Sequence, residues 1–271
     1  MPPPAPDIRL IAIDLDGTLL NDSKEVSDQT LRALSCLRND IKVVIASARP
    51  PRSVRPIYKK LNLSTWQINY NGALIWDEPS QKVIHHQPMT GPLVRSIVDL
   101  ARDYYDDLLV SCEILDRWYT DRPDNSYTTE TGKLFPPDVI CDLTQICSQP
   151  VTKLMLLGPP ATIAKTEHLL TNKFADQVQI ISSDDHLLQI MDKNAGKAAA
   201  LTKVAAHYQI PLTQVMAIGD ALNDIGMLSL AGTSVAMHNA HPLVKDCADW
   251  IAPTNNHHGV HAALAHYGLC E

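Results

Sequence analysis

Residues 9–20 read RLIAIDLDGTLL, and the way this stretch folds decides the architecture. Arg9 to Asp14, RLIAID, form a short apolar run ending in a carboxylate, and its β-branched content and short length suit a buried strand. Asp16-Gly17-Thr18 then breaks the pattern with polar groups and a glycine that lets the backbone turn. Groups that follow a strand directly sit at its carboxyl end, which is where open α/β sheets bind ligands. If the extended geometry persists, the side chains of Asp14 and Asp16 point the same way. Two close carboxylates need a proton or a cation to coexist, and a magnesium ion, Mg2+, suits such oxygen donors. The same letters also suit a solvent-facing strand-to-loop turn, so the weight falls on what else reaches that edge.

Working outward, Ser27 is placed to cap a helix whose Leu31, Leu34 and Leu37 recur at helical spacing. IKVVIASA, from Ile41, is a second apolar run, and a third strand is expected around Trp66 to Tyr70. This alternation predicts a parallel sheet with helices on both faces. Asp77 to Ser80 reads as a turn between LIW and KVIHH. Beyond it lie helix patterns at Leu93 to Tyr105 and Ile163 to Phe174, with strands at Leu108 to Cys112, Val151 to Leu157 and Val178 to Ser182. Arg117 to Gln149 gives no secure element. The βα rhythm returns with a helix from Lys197 to Tyr208, a strand QVMAIG, a helix from Asn223 to Ala231, and short strands in TSVAM and ADWIA. The expectation is an α/β protein: a Rossmann-like core of 1–82 and 189–271 with a parallel sheet, interrupted by an α+β insertion at 83–188.

The formal charge is −7 with no Lys/Arg block, which argues against a nucleic-acid or membrane-surface partner. The six cysteines are scattered without a CxxC pair and read as free thiols in a reducing cytoplasm. MPPPAPDIRL lacks the basic and apolar segments of a secretory signal, and no apolar run approaches a membrane span. The sequons at Asn21 and Asn62 therefore carry little weight. A homodimer is left open as a partner.

Three further signals stand at strand ends or helix starts. Ser47, after IKVVIA, can donate its hydroxyl to a phosphoryl oxygen, although a serine there is usually a cap or turn. Lys197 in NAGKAAAL offers a point charge suited to phosphate, although most lysines simply face water. After QVMAI come Gly219 and Asp220, the latter placed as a metal ligand, while Asn223 and Asp224 are placed to cap the next helix and to orient the site.

In order, RLIAIDLDGTLL, the NGA of Asn71 to Ala73, GKAAAL, GDALNDIGML, TSVAMHNA and TNNHHGV resemble the haloacid dehalogenase-like (HAD) hydrolase superfamily, specifically its Cof-type phosphatases with an inserted α/β cap. The resemblance covers nearly the whole chain. It implies a HAD core with 83–188 as a substrate-specificity cap, and Mg2+ as cofactor. By motif it implies Asp14 as nucleophile, Asp16 as general acid/base, and Ser47 and Lys197 as phosphate-binding groups. Asp14, Asp220 and the backbone carbonyl of Asp16 are the implied metal ligands, with Asn223 and Asp224 organising their surroundings. Asn71, Asn194 and Asn239 are implied to position substrate. Ala48, Ala198 and His238 stand where the family often has glycine.

The implied reaction is hydrolysis of small phosphorylated metabolites, sugar phosphates first, with pyridoxal phosphate and flavin mononucleotide beside them, through an aspartyl-phosphate. A sugar-phosphate phosphomutase and a noncatalytic phosphometabolite sensor are the alternatives. In the insertion, Arg117, Trp118, Tyr119 and the turn from Asp124 to Tyr127 are pocket candidates against ordinary packing roles. His257, His258 and His261 could bind a transition metal, but their setting reads as a loop entering a helix.

Overall fold

The apolar run after Arg9 forms β1, Leu10–Ile13, with every residue fully buried. There follow α1 (Asp28–Ser35), β2 (Lys42–Ile45), α2 (Pro51–Lys60), β3 (Trp66–Asn69), β4 (Leu74–Asp77) and β5 (Lys82–His86). Next come α3 (Gly91–Tyr104), β6 (Leu109–Ile114), β7 (Arg117–Thr120), β8 (Val139–Ile140), α4 (Leu143–Ile146), β9 (Lys153–Leu157), α5 (Pro160–Phe174), β10 (Val178–Asp184) and β11 (Leu187–Asp192). The remaining elements are α6 (Lys197–His207), β12 (Val215–Gly219), α7 (Ile225–Leu230), β13 (Thr233–Met237), α8 (Pro242–Lys245), β14 (Trp250–Ala252) and α9 (Gly259–His266). The computed structural model describes residues 7–122, 126–127, 129 and 131–270. Two members of the expected turn from Asp124 to Tyr127, residues 124 and 125, lie outside that set.

The chain divides into two units, one comprising Met1–Ala48, Val54–Lys82 and Gly196–Glu271, the other Arg49–Ser53 and Val83–Ala195. The first unit holds a five-stranded sheet in the order β14-β13-β12-β1-β2, parallel throughout. β1 is an interior strand between β12 and β2, where Ile13 pairs with Ile218 on one side and Ile45 on the other. The residues that follow these three strands therefore leave the sheet side by side at one edge. Strands buried on both faces need apolar runs without alternation, which is why LIAI, VVI and VMAI read as they do. Helices supply the cover through Ala33 of α1, Leu201 and Val204 of α6, Met227 and Leu228 of α7, and Val260 and Leu264 of α9. Ser27 caps α1 as expected, its hydroxyl accepting from the Thr30 N–H at 3.3 Å.

The second unit holds a six-stranded sheet, β10-β11-β9-β6-β7-β8, antiparallel except for the β7/β8 pair. Alternate residues Val110, Cys112, Ile114, Leu154, Leu156, Leu188 and Ile190 enter a core shared with Val94, Ile97 and Val98 of α3 and Ile163 and Leu170 of α5. This is the period-two pattern of a sheet covered on one face by helices. Arg117 to Gln149, which offered no element in sequence, contains β7, β8 and α4. The unit continues past residue 188 to Ala195 because β11 pairs with both β9 and β10. Residues 49–53 belong to it through Arg52, whose Nη2 donates to both carboxylate oxygens of Glu113 at 2.7 and 2.9 Å.

Among the described residues no helix is long and apolar enough to cross a membrane. Ile13→Ala removes a fully buried side chain from an interior strand and is expected to cost about 2–5 kcal/mol. Urea unfolding measures this, and an unchanged midpoint would contradict the interior place given to β1.

Candidate active site

Asp14 follows β1, Asp220 follows β12, and Lys197 is the first residue of α6. The Lys197 ammonium lies 2.5 Å from Asp14 Oδ1 and 2.6 Å from Asp224 Oδ1, with all three side chains buried. Asp224 Oδ2 accepts the backbone N–H groups of Asp220 and Ala221, both at 3.0 Å. The expectation that Asp224 caps the following helix is corrected here. Leu222–Asp224 is a single 3-10 turn, and the carboxylate folds back over the loop before it. Asn223 also turns elsewhere, its Nδ2 donating to Asn71 Oδ1 at 2.8 Å.

Asp14, Asp220 and Asp224 each offer a carboxylate oxygen, all within 4.8 Å of one another. Three carboxylates against one ammonium leave an excess of negative charge. Burial pushes Asp14 well above the usual carboxylate range; Lys197 pulls it down, and Asp224 and Asp220 add to the rise. Asp220 is pushed up to about 6, chiefly by burial, with the Thr18 hydrogen bond opposing and Asp224 adding. Burial alone would lower the Lys197 pKa, but Asp14 and Asp224 overcome it and hold the ammonium charged.

This donor set fits a hard divalent cation such as Mg2+: oxygen ligands, a charge excess, and space kept open for them. Gly17 keeps that space. Its φ is +82°, and a Cβ there would lie 2.3 Å from Asp220 Oδ2. Thr18 orients the same carboxylate by donating its hydroxyl to Asp220 Oδ1 at 2.8 Å.

β1 stops at Ile13 and the chain turns at Gly17, whose φ is positive, so Asp16 stands in the turn beyond the strand. The Asp16 carboxylate is partly exposed and accepts from Lys24 Nζ at 2.8 Å. Ser47 is buried after β2; its N–H donates to Ile68 O at 2.9 Å, and its carbonyl accepts from Asn71 N–H at 3.0 Å. Asn239 donates to Gly17 O at 2.8 Å and accepts from Asn255 N–H at 3.0 Å, tying the Asp16–Thr18 turn to the loop before α9. Asn194 is an exposed residue of the second unit, its N–H on Asp192 Oδ1 at 2.9 Å.

Ala48 and Ala198 bring no polar group, and His238 is exposed. His257 bonds Thr254 Oγ1 at 2.7 Å, and among the described residues the His257, His258 and His261 cluster is no part of a metal-capable group. In the second unit Trp118 donates its ring N–H to Ser111 Oγ, and Arg117 lies over the Tyr119 ring. Sequence reasoning passed over Thr18, whose hydroxyl four residues after Asp14 was the available signal. It also passed over Asp22, which Asn255 and Asn256 clamp at 3.3 and 2.8 Å.

A family model described as haloacid dehalogenase-like hydrolase matches residues 11–264. The chain belongs to the haloacid dehalogenase-like hydrolases. This hydrolase is 31% identical over 293 residues to Phosphatase YwpJ of Bacillus subtilis (strain 168), covering 96% of this chain and 99% of that one. It is 32% identical over 264 residues to YcsE of the same organism, named 5-amino-6-(5-phospho-D-ribitylamino)uracil phosphatase, covering 97% of each. The solved structure of TM0651 from Thermotoga maritima superposes with a TM-score of 0.85 at 28% identity, over 96% of this chain and 97% of that one. The hydrolase is a phosphatase of the Cof type with the mixed α/β fold.

The carboxylate cluster sets a pH signature. Without a divalent ion, the folded state keeps a proton on Asp220 up to about pH 6, whereas an unfolded aspartate loses it near pH ~4. The folded state then binds more protons, so stability falls as pH rises through that window. Added Mg2+ is expected to raise the melting temperature at pH 7.5, by about 2.7 kcal/mol of stability at a hundredfold excess over Kd. The gain should be smaller at pH 5 and largely lost in Asp220→Asn. A melting curve indifferent to Mg2+ at both pH values would count against the cation site.

Proposed function

We propose that the chain hydrolyses phosphate monoesters of sugars and sugar alcohols in a Mg2+-dependent reaction, with Asp14 receiving the phosphoryl group. The observation that carries this reading is the buried trio Asp14, Asp220 and Asp224, with the Lys197 ammonium between two of them. Asp14, Asp220 and the carbonyl of Asp16 would hold the ion, with Asp224 and Asn223 fixing the loop that carries Asp220. When bound, Mg2+ offsets the repulsion between a carboxylate and a phosphate dianion.

Asp14 attacks phosphorus opposite the leaving oxygen, so that the new Asp14–phosphorus bond forms as the ester bond breaks. Asp16 swings from Lys24 and gives its proton to the departing oxygen. It then takes a proton from water as that water attacks phosphorus, which breaks the Asp14–phosphorus bond and releases inorganic phosphate. An ammonium has three N–H donors, and two of those on Lys197 meet Asp14 and Asp224. The third serves a phosphoryl oxygen beside the Ser47 hydroxyl, a role that is strongest when the donors are fixed in advance.

The substrate class draws support from two relatives, YitU (29% identical) and YcsE (32%), both named phosphatases of 5-amino-6-(5-phospho-D-ribitylamino)uracil. In that compound the phosphate sits on a sugar alcohol. We assign choice among such esters to the inserted cap, residues 83–188. In support, the second unit contains a cavity of about 380 Å3 whose walls include Trp118, Tyr127, Phe135, Arg122 and Lys133. Asn239 serves the site by holding Gly17, and Asn194 is assigned a part on the cap side. Six free cysteines fit a reducing cytoplasm.

The test is phosphate release from a panel of phosphorylated metabolites with and without Mg2+. Asp14→Asn is expected to lose roughly 1,000-fold or more in kcat while keeping its melting temperature; wild-type turnover by that variant would sink the nucleophile assignment. Asp16→Asn should slow both leaving-group departure and intermediate hydrolysis. Rates equal to wild type across pH would remove Asp16 from acid/base duty.

A further inference from the structure

Tyr70, Asn71 and Gly72 all have positive φ, at 49, 53 and 96°. Three left-handed residues in a row are unusual, and a tyrosine among them is costly. Such conformations persist where the surroundings over-determine them, and they gather at functional sites. Each side of this turn holds a different segment of the site. The Asn71 N–H donates to Ser47 O at 3.0 Å. Gly72 packs so tightly on the residue before Lys197 that a Cβ would lie 2.2 Å from Gly196 O. Asn71 Oδ1 accepts from Asn223 Nδ2 at 2.8 Å, and Asn223 lies in the loop between Asp220 and Asp224.

Asn223 is left with a buried Oδ1 that has no partner among the described residues. A buried acceptor without a donor is unfavourable, and its place in this loop points to a donor that arrives with the substrate or its hydration water.

We propose that Asn71 is a positioning residue for phosphoryl transfer: it fixes the Asn223 amide, and through it the Asp220–Asp224 loop, against Ser47 and Lys197. The role rests on the phosphatase reading above. Asparagine suits both demands, since it tolerates the left-handed region and carries an acceptor. If the turn only needed a left-handed backbone, glycine would serve equally well.

That contrast supplies the experiment, with p-nitrophenyl phosphate and Mg2+ as the probe. Asn71→Gly keeps the backbone and deletes the amide. It is expected to lower kcat roughly 10- to 100-fold with little change in KM, and to melt within a few degrees of wild type. Asn223→Ala should show a similar loss, and the double variant no more than the larger single loss, because the two act as one unit. Asn71→Asp, which also tolerates positive φ and keeps an acceptor for Asn223, should recover most of kcat but raise KM, its charge opposing the phosphate. Wild-type kcat in Asn71→Gly, fully additive losses in the double variant, or Asn71→Asp no better than glycine would each overturn the role. No phosphate release by the wild type, on this ester or the metabolite panel, would instead overturn the phosphatase reading and this role with it.

Discussion

One ammonium ion wedged between two buried carboxylates, with a third carboxylate beside them, is the constraint around which the first unit is arranged. Lys197 meets Asp14 and Asp224 at 2.5 and 2.6 Å, and Asp220 completes the cluster. Carboxylates stripped of water repel strongly, so each must be held where a positive partner can reach it. The parallel sheet does the coarse placement by ending β1 and β12 in register. Loop chemistry does the fine placement: Asp224 is clamped by two backbone N–H groups, Thr18 orients Asp220, and Gly17 leaves the space Asp220 occupies.

The same electrostatics separates the two aspartates of the DLDGT stretch. Asp14 is sealed against the core, while Asp16, two residues on, is partly exposed and paired with Lys24. A buried carboxylate with fixed neighbours suits covalent chemistry at a defined point, and a partly exposed one is better able to exchange protons with water. The division follows from where β1 stops.

Much of this was legible in the chain because runs such as LIAI and VMAI admit few structures, and each ends in a residue with chemistry. Asp14, Ser47, Lys197 and Asp220 were locatable as the groups that follow those runs or open the next helix. One inference about direction failed: the capping role given to Asp224 assumed a carboxylate facing forward when its donors lie behind it. β8, two residues long, was missed because a strand distant in sequence holds it, whereas β7 and β11, each the second strand of a hairpin, were locally readable and passed over. The sign of φ at Tyr70 and Asn71 was beyond reach for a related reason: tertiary contacts impose it, and residue identity alone does not.

The pairing of Leu10 with Val215 has a consequence for synthesis on the ribosome. β1 emerges before the inserted unit, yet one of its two neighbours is encoded beyond it, so one of its hydrogen-bonding edges waits until that unit has been made. Folding of residues 83–195 into their own compact body shortens the effective loop that must close and lowers the entropy lost in closing it. A compact insertion thus serves as a spacer, and Asp14 and Asp220 can meet only once the segment that follows it has been made.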